Sequence, residues 1–562
     1  MPIYNHFQYR LSFAAESGRG GYLELAAGGG AVVNTRAATE SATILPGARS
    51  IGLANVTGLA AGDYVQIEVD NTIPTVEIRR IVSVDATNTR IYLDYPLGFS
   101  HSATVTVAEY NVVSNGATGI NLVTFLPGVY TNITAPDLNV GIDPQYSIST
   151  SQFRNWNYAY PSKSSFIGTI PDMILLNGYP LRFAIGGVYT TVTGSFSGGS
   201  STLSANSIKG QREIFVGSAL NFAIDDFILI GDNSGNTNEV RRISHISGTA
   251  LRLNYPLMFA HTAGDQVREI AAGAIYTHTI REFAELDTIT WEIRARDTGE
   301  TAANDFARRY VGGIVNQATI SAKEGDMLRM SWDEVIFTDL LHNQVAHSSV
   351  TGDIERSSRA MQIPSVGGDL STGLGTLVFG GLDGAATSYP TTEPYYFSQG
   401  NISLFGINFA RVRGFSLSIQ NNIQPFYAIR SLPNERTPFL LLESMRNYKL
   451  NVNLAMEDSI ANTSTTRTLW KELILEGNYG SVGATEALQG FSIELLFTRG
   501  VNDTIRIRSP IDQAPSSSYE DQGCFFMQAS HDKADVSPLE VSGEILMRNL
   551  EIVITDAVGV YP

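Results

Sequence analysis

The chain holds a single cysteine, Cys524, among its 562 residues. One thiol excludes an intramolecular disulfide framework and any zinc site built from several cysteines, so stability has to come from packing or assembly. Charge is scarce too: 17% of residues are Asp, Glu, Lys or Arg, and 38 basic against 55 acidic side chains leave a formal charge of −17. Affinity for phosphates needs clustered Lys and Arg, which argues against a general nucleic-acid binder but not against transient passage of DNA. No apolar run reaches the roughly 18–20 residues of a membrane helix. The opening segment Met1-Pro2-Ile3-Tyr4-Asn5-His6-Phe7-Gln8 has neither a basic nor an apolar stretch of the secretory kind, so synthesis in a cytoplasm is expected and no membrane association. Asn-x-Ser/Thr triplets such as Asn55-Val56-Thr57 are then ordinary loop and strand residues.

What is present is apolar and β-forming. The apolar fraction is 43%, with 52 Gly, 24 Tyr and 26 Phe, a balance that suits a β-rich protein with many turns and much subunit contact surface. A prior of roughly 100–200 residues per domain gives about three to five units. One internal repeat is visible. Ala61-Gly62-Asp63-Tyr64-Val65-Gln66-Ile67 matches Ile224-Asp225-Asp226-Phe227-Ile228-Leu229-Ile230, and Glu77-Ile78-Arg79-Arg80-Ile81 matches Glu239-Val240-Arg241-Arg242-Ile243. A third block, Ile91-Tyr92-Leu93-Asp94-Tyr95-Pro96-Leu97-Gly98-Phe99-Ser100-His101, matches Leu251-Arg252-Leu253-Asn254-Tyr255-Pro256-Leu257-Met258-Phe259-Ala260-His261. Both copies alternate polar and apolar residues with period two and are expected to fold as small β-modules, residues 44–110 and 206–270. Each follows a Gly- or Ser-rich stretch, Gly28-Gly29-Gly30 and Gly194-Ser195-Phe196-Ser197-Gly198-Gly199-Ser200-Ser201, of the kind that makes flexible insertion joints. The host would then be residues 1–43, 111–205 and 271–562.

Strand alternation also runs through Thr288–Arg294, Gln317–Ala322, Met327–Trp332, Phe415–Ile419 and Tyr448–Leu454. The fold class expected is all-β and mainly antiparallel. Bare sheet edges require a barrel, a sandwich or pairing with neighbouring chains. The clearest helix is Thr468–Glu476, ended by Gly477, with Leu469, Trp470, Leu473 and Ile474 on one face to cover a sheet.

Little in the sequence points to chemistry. The loop Asp232-Asn233-Ser234-Gly235-Asn236-Thr237-Asn238-Glu239 spaces oxygen ligands like a calcium loop, but its glycine is misplaced and a bidentate acid at the twelfth position is missing, so it reads as a hairpin turn. His101 and His261 share one repeat position without further His or Cys at ligand spacing, which favours a structural role at a strand end. His342 and His347 lack the His-Glu-x-x-His frame, and Gly373-Leu374-Gly375 lacks the third glycine of a phosphate loop. Glu457-Asp458 and Glu520-Asp521 are adjacent pairs that point to opposite faces of a strand. No catalytic, metal-ligating or cofactor-binding residue is assigned, and no cofactor. Arginines among apolar strand residues, Arg294, Arg296, Arg308, Arg309, Arg411 and Arg413, suit either an ordinary surface or an interface.

The order of host segments resembles the tail tube (major tail) proteins of long-tailed bacteriophages. The resemblance rests on Glu16-Ser17-Gly18-Arg19-Gly20, Ile167-Gly168-Thr169-Ile170-Pro171 and Leu181-Arg182-Phe183-Ala184-Ile185-Gly186. Its most specific blocks are Arg308-Arg309-Tyr310-Val311-Gly312-Gly313-Ile314-Val315-Asn316 and Ile320-Ser321-Ala322-Lys323-Glu324-Gly325-Asp326-Met327-Leu328, a strand, a Glu-Gly turn and another strand. Pro394–Phe397, Ile402–Asn408 and Val412–Pro425 follow in the same style. The resemblance implies a non-enzymatic virion protein of the tail, assembled in the host cytoplasm from β-barrel or sandwich subunits. It also implies hexameric rings stacked into a hollow tube for genome delivery, and contact with other tail proteins such as the tape measure and the tail terminator. Viral DNA would pass without specific binding. The acidic balance predicts an acidic lumen that repels DNA. An adhesin or carbohydrate-binding role, motivated by the tyrosines and the two modules, and a hydrolase on a β scaffold are the alternatives.

Overall fold

The computed structural model describes residues 4–16, 32–61, 63–67, 75–93, 97–110, 129–145, 158–297, 306–342, 393–404, 407–409, 412–428, 437–455, 490–512, 523–532 and 540–561. β1 (Tyr4–Ala15) opens the chain and is followed by β2 (Val32–Ala37), β3 (Ser50–Gly52), β4 (Tyr64–Ile67), β5 (Glu77–Asp85), β6 (Arg90–Leu93) and β7 (Thr106–Tyr110). A long hairpin, β8 (Val129–Gln145) and β9 (Tyr158–Ile174), leads to the helix α1 (Tyr179–Ile185) and to β10 (Gly186–Thr193). Next come β11 (Phe196–Thr202), β12 (Glu213–Phe215), β13 (Phe227–Ile230), β14 (Glu239–Ser247), β15 (Ala250–Leu253) and β16 (Gln266–Ile270). β17 (Ile275–Glu282), β18 (Ile289–Asp297), β19 (Phe306–Lys323), β20 (Arg329–Phe337), β21 (Asp339–His342), β22 (Gly400–Leu404) and β23 (Ile407–Phe409) precede β24 (Val412–Gln420). The short ribbon β25 (Gln424–Phe426) and β26 (Leu440–Leu442) leads to β27 (Asn447–Ala455), and the chain ends with β28 (Ile493–Gly500), β29 (Asp503–Ser509), β30 (Phe525–Asp532), β31 (Glu540–Met547) and β32 (Glu551–Asp556).

The fold is all-β and antiparallel, and among the described residues every sheet is open. An eleven-stranded sheet runs β30-β31-β27-β24-β19-β20-β9-β8, with β18 and β21 on the first half of β19 and β1 beside β18, and a seven-stranded sheet runs β10-β17-β32-β29-β28-β22-β23. The barrel alternative gives way to two packed sheets, because the expected strands put one apolar side into a shared core. Leu417, Leu450 and Ile545 of the larger sheet and Ile280, Leu495, Ile505 and Ile552 of the smaller belong to one buried cluster. At its centre Trp332 lies 4.9 Å from Phe13 and 6.1 Å from Trp291, ring centre to ring centre.

All seven residues of α1 are buried in this core. Its start is fixed by Asn177, whose Oδ1 accepts the Tyr179 N–H at 3.0 Å, and by a proline in the first turn. Such a short helix, buried on every side with Arg182 as its one charged residue, shows no amphipathic period and is not expected from the sequence. The expected helix over residues 468–476 lies outside the described residues.

The repeated blocks each form a six-stranded sheet, β2-β7-β4-β5-β6-β3 and β11-β16-β13-β14-β15-β12. Both begin upstream of the expected module starts at 44 and 206, with β2 at Val32 and β11 at Phe196. The Ser/Gly-rich stretch 194–201, expected as a flexible joint, is largely strand β11, whose Ser200 and Ser201 pair with Arg268 and Val267. Small residues suit it to pack: a Cβ on Gly199 would fall 2.3 Å from the Phe222 ring. Gly28-Gly29-Gly30 lies outside the described residues.

Candidate functional site: two open edges, a polar face and buried carboxylate cradles

The strands of the larger sheet put short polar groups on the side away from the core. One cross-strand row is Ser331, Thr319, Ser418 and Lys449; a second is Arg329, Ser321, Ser416, Asn451, Glu544 and Gln528. The face is laced internally: Thr319 Oγ1 donates to Asp333 at 2.6 Å, Lys449 meets Glu544 at 2.9 Å, and Ser542 donates to Asn453 at 3.0 Å. The outward face of the smaller sheet differs. Arg281 and Arg508 both grip the buried Glu551, and Arg506 lies 3.8 Å from Glu494. One solvent face thus sets Ser, Thr and Asn among locally paired charges such as Lys449 and Glu544, and the other is Arg and Glu.

The edges differ as well. On the smaller sheet, β10 is covered by the loop between β13 and β14. Asn233 accepts the Val192 N–H at 2.8 Å and donates to its carbonyl at 3.0 Å, while Thr190 N donates to the Asn238 carbonyl at 2.8 Å. The loop that resembled a calcium site is therefore a hairpin turn that occupies a bare strand edge. Its own geometry is an Asx turn, with Asp232 accepting from the Ser234 and Gly235 N–H groups at 2.8 and 2.9 Å. Those bonds hold the Asp232 carboxyl below its ordinary range. On the larger sheet, β8 and β30 end the strand order, each paired on one side among the described residues. β8 carries Pro136 and Pro144, residues that sheets admit at edges.

Each repeat sheet is built around one buried carboxylate. Glu239 receives the Met258 and Phe259 N–H groups at 2.9 and 3.2 Å, His261 Nε2 at 2.7 Å and Arg241 at 2.6 Å. Glu77 receives Gly98 and Phe99 N–H at 2.8 and 2.9 Å, His101 Nε2 at 2.8 Å, and Arg79. The Leu-x-Phe-x-His block of both copies is the cradle for the Glu of the preceding block, which gives both histidines a structural role. Burial alone would raise these carboxyls, but the arginine charge, the histidine and the backbone donors outweigh it, so both sit below the ordinary range. The sequence showed Glu, Arg and His at matched positions, yet their convergence needs the register of β5 or β14 against the following loop.

The two copies dock differently. In the second, Leu229, Val240, Tyr255 and Met258 turn away from the module's own core of Ile228, Ile230, Ile243 and Leu257 and join the main core. In the first, Val65, Ile67, Ile81 and Leu97 form a self-contained core, Gln66 stands where the second copy has Leu229, and Arg49 forms an ion pair with Asp339 of β21. Alternate apolar residues on both faces of β13 against one face of β4 mark this difference in sequence.

Two blocks of the family resemblance meet in space. Glu16, at the end of β1, accepts the Gly312 N–H at 2.7 Å and the Thr290 hydroxyl at 2.6 Å. Gly312 has φ +63°, and a Cβ there would fall 2.0 Å from Thr338 Oγ1, so β19 kinks only because the residue is glycine. Burial pushes the Glu16 carboxyl from 4.5 up to about 7, against the hydrogen bonds from Thr288, Thr290 and Gly312. A raised carboxyl stabilises the fold below the ordinary carboxylate range, and that contribution is lost as pH climbs through about 7. Glu16→Gln is therefore expected to match the parent at about pH 4 and to exceed it by about 3 kcal/mol at about pH 8. Denaturant unfolding at the two pH values checks this, and an equal difference at both would sink it.

Of the arginines, Arg309 is buried and Arg413 pairs with Glu324 at 3.2 Å; Arg308 is half-buried, and the side chains of Arg294, Arg296 and Arg411 lie outside the described residues. So do the side chain of His342, and His347, Gly373–Gly375, Glu457-Asp458 and Glu520-Asp521. Cys524 is buried against Ser509, and burial pushes its thiol up to about 11. Among the described residues no group of three or more His, Cys, Asp or Glu converges as for a metal ion, and no helix is long and apolar enough to cross a membrane.

An antiparallel sandwich whose strand order ends, among the described residues, in β8 and β30 and whose larger sheet carries rows of Ser, Thr and Asn has the form of a structural β-subunit. A family model for phage tail tube proteins matches residues 7–505, and the chain belongs to that family, as a structural component of the virion tail. No curated protein matches the chain.

Proposed function

We propose that the chain polymerises as stacked rings into the hollow tail tube through which the phage genome is delivered, and that the Ser/Thr/Asn face of the eleven-stranded sheet lines the lumen. The contrast between the two solvent faces carries this reading. DNA slides where charges are paired within the wall and leave its phosphates unheld, and the rows through Ser331, Thr319 and Ser418 and through Ser321, Ser416 and Asn451 set hydroxyls and amides among charges that pair locally, Lys449 with Glu544 and Arg329 with Asp172 and Asp326. Slippage then comes from charges paired within the face, in place of the acidic lumen suggested by the net charge of −17. The residues 1–43, 111–205 and 271–562 form the tube wall in this reading. The modules 44–110 and 206–270, whose sheets reach back to Val32 and Phe196, decorate its outside. Assembly takes place in the host cytoplasm with the tape measure and tail terminator as partners. The adhesin alternative needs exposed aromatic platforms, whereas Phe227, Tyr255 and Phe259 of the second copy pack on the main core.

Imaging the purified protein tests the reading: rings or tubes are expected, with this face inside. Ser416→Lys together with Ser418→Lys is expected to leave tubes intact but to make them retain duplex DNA at low salt, released as salt rises. Tubes of the double variant that pass DNA like the parent, or a map with these serines outside, would remove the lumen assignment.

A further inference from the structure

The larger sheet contains the same path twice. In the first unit the hairpin β8–β9 is followed by an excursion into the smaller sheet, the antiparallel pair β10 and β17, and then by the hairpin β19–β20, whose second strand lies beside β9. In the second unit the hairpin formed by β24 and β27 is followed by the antiparallel pair β28 and β29 of the smaller sheet, and then by the hairpin β30–β31, whose second strand lies beside β27. The spatial orders are β8-β9-β20-β19 and β24-β27-β31-β30. Chain order, antiparallel direction and change of sheet agree for these strands; α1, β18 and β21 of the first unit have no counterpart among the described residues of the second, and after the second hairpins the chain enters the smaller sheet as β22 and β32.

Two details strengthen the correspondence. Each first hairpin runs on past its sheet as a two-stranded arm. β8 and β9 stay paired to Gln145↔Tyr158 although β20 leaves β9 at Phe166, and β25·β26 prolongs the second hairpin. The arms touch, with the Tyr427 hydroxyl donating to the Ser164 carbonyl at 3.2 Å and Lys163 Nζ 4.8 Å from the Tyr427 ring centre. The largest difference between the excursions is an insertion: β28 and β29 join through the turn Val501-Asn502, whereas the second repeat sheet sits between β10 and β17.

Within the chain the units join at β19 and β24, in seven antiparallel residue pairs from Gln317↔Gln420 to Lys323↔Gly414. The strands that correspond to β19 and β24 are β30 and β8, the two ends of the sheet. We infer that copies of this chain join by pairing β30 of one copy antiparallel with β8 of the next, which repeats between chains the junction that β19 and β24 make within one. This rests on the tube reading. The strand directions permit it, since neighbours alternate along the whole path. Gln528 and Ser530 of β30 pair with Glu544 and Ser542 and so carry the polar rows to the open edge. On the smaller sheet the β10 edge is already covered by Asn233 and Asn238. A ring of n chains therefore shows 2n four-stranded units, and a count of subunits made from the wall is twice the count of chains.

Cysteine cross-linking tests the junction. In the internal copy the paired stretch of β24 precedes its arm, which places the matching stretch of β8 at the end that holds Thr134, an exposed residue before the arm. Thr134→Cys and Ser530→Cys are each combined with the parent chain and with one another, and Ile133→Cys and Ala135→Cys cover a slip of one residue. A mixture of the two single variants is expected to give a cross-linked pair under mild oxidation, and the double variant a ladder that ends at the ring; Ser530→Cys with Val501→Cys, on the far turn, gives none. A reconstructed tube should show twice as many wall units as its mass gives chains. Tubes that form while no cross-link appears in any register, or a wall with one unit per chain, would overturn the junction and leave the tube reading standing. A protein that makes neither rings nor tubes overturns both.

Discussion

Glu239→Ala is expected to destabilise the protein by about 3–5 kcal/mol, because it leaves Arg241 and His261 buried without their carboxylate. Burial already holds the Arg241 guanidinium below its ordinary range, chiefly against the opposing charge of Glu239. The loss should be read by the wrong reporter if the second repeat sheet were an independent body. Trp291 and Trp332 lie in the main core, and neither repeat sheet contains a tryptophan. Since Val240, next to Glu239, and Met258, which donates its N–H to it, belong to that same core, the tryptophan-monitored midpoint should fall in Glu239→Ala. Glu77→Ala removes the same cradle from the first copy, whose core is its own, so a separate calorimetric transition should drop while tryptophan fluorescence stays put. Both carboxyls are depressed, so their stabilisation is present at neutral pH and is lost as pH falls below the carboxylate range. Equal response of the tryptophan signal to the two variants would contradict the different docking of the copies.

Much of the architecture was legible because sheets write themselves into sequence with period two. The stretches around Trp291, Ile320, Leu417 and Leu450 are strands because alternate residues had to face one core. The collinear repeat was legible too, since three blocks recur in order. Its meaning was not: Glu77 and His101 are 24 positions apart and Glu239 and His261 are 22, and only strand register brings them together. The same limit hid the use of Asn233. Its turn is local and could be read, whereas its bonds to Val192 span 41 positions. The two four-stranded units leave no shared blocks comparable to the modules, because what recurs is the path and not the side chains. The Ser/Gly stretch at residues 194–201 misled for a related reason: small residues serve a flexible joint and a tightly packed strand equally well, and the close ring of Phe222 decides between them.

Removing the second repeat sheet should damage the wall far more than removing the first. Excision of residues 206–270 would strip β16 from β11 and leave Phe196–Thr202 as an orphan strand, so the clean cut is 195–271, closed by a short turn like the one between β28 and β29. Even that cut bares the β10 edge, where Thr190 and Val192 lose the partners supplied by Asn238 and Asn233. It also uncovers Val188, whose N–H lies 2.8 Å from Met258 Sδ, together with Val192 and Tyr276. Each large apolar side chain returned to water is worth about 1.5–3 kcal/mol, so a loss of about 5 kcal/mol or more is expected, with aggregation through the open edge. Excision of 32–110 leaves the main core covered and breaks chiefly the Arg49–Asp339 pair; with Asp339→Asn to remove the stranded charge, rings should still form. Lysines at positions 188 and 192 should restore solubility to the chain cut at 195–271, because charge blunts an exposed edge strand. Thermal unfolding and imaging of the two excised chains decide the matter: equal stability, or no rescue by the lysines, would show that the loop at Asn233 is not what keeps the β10 edge from pairing.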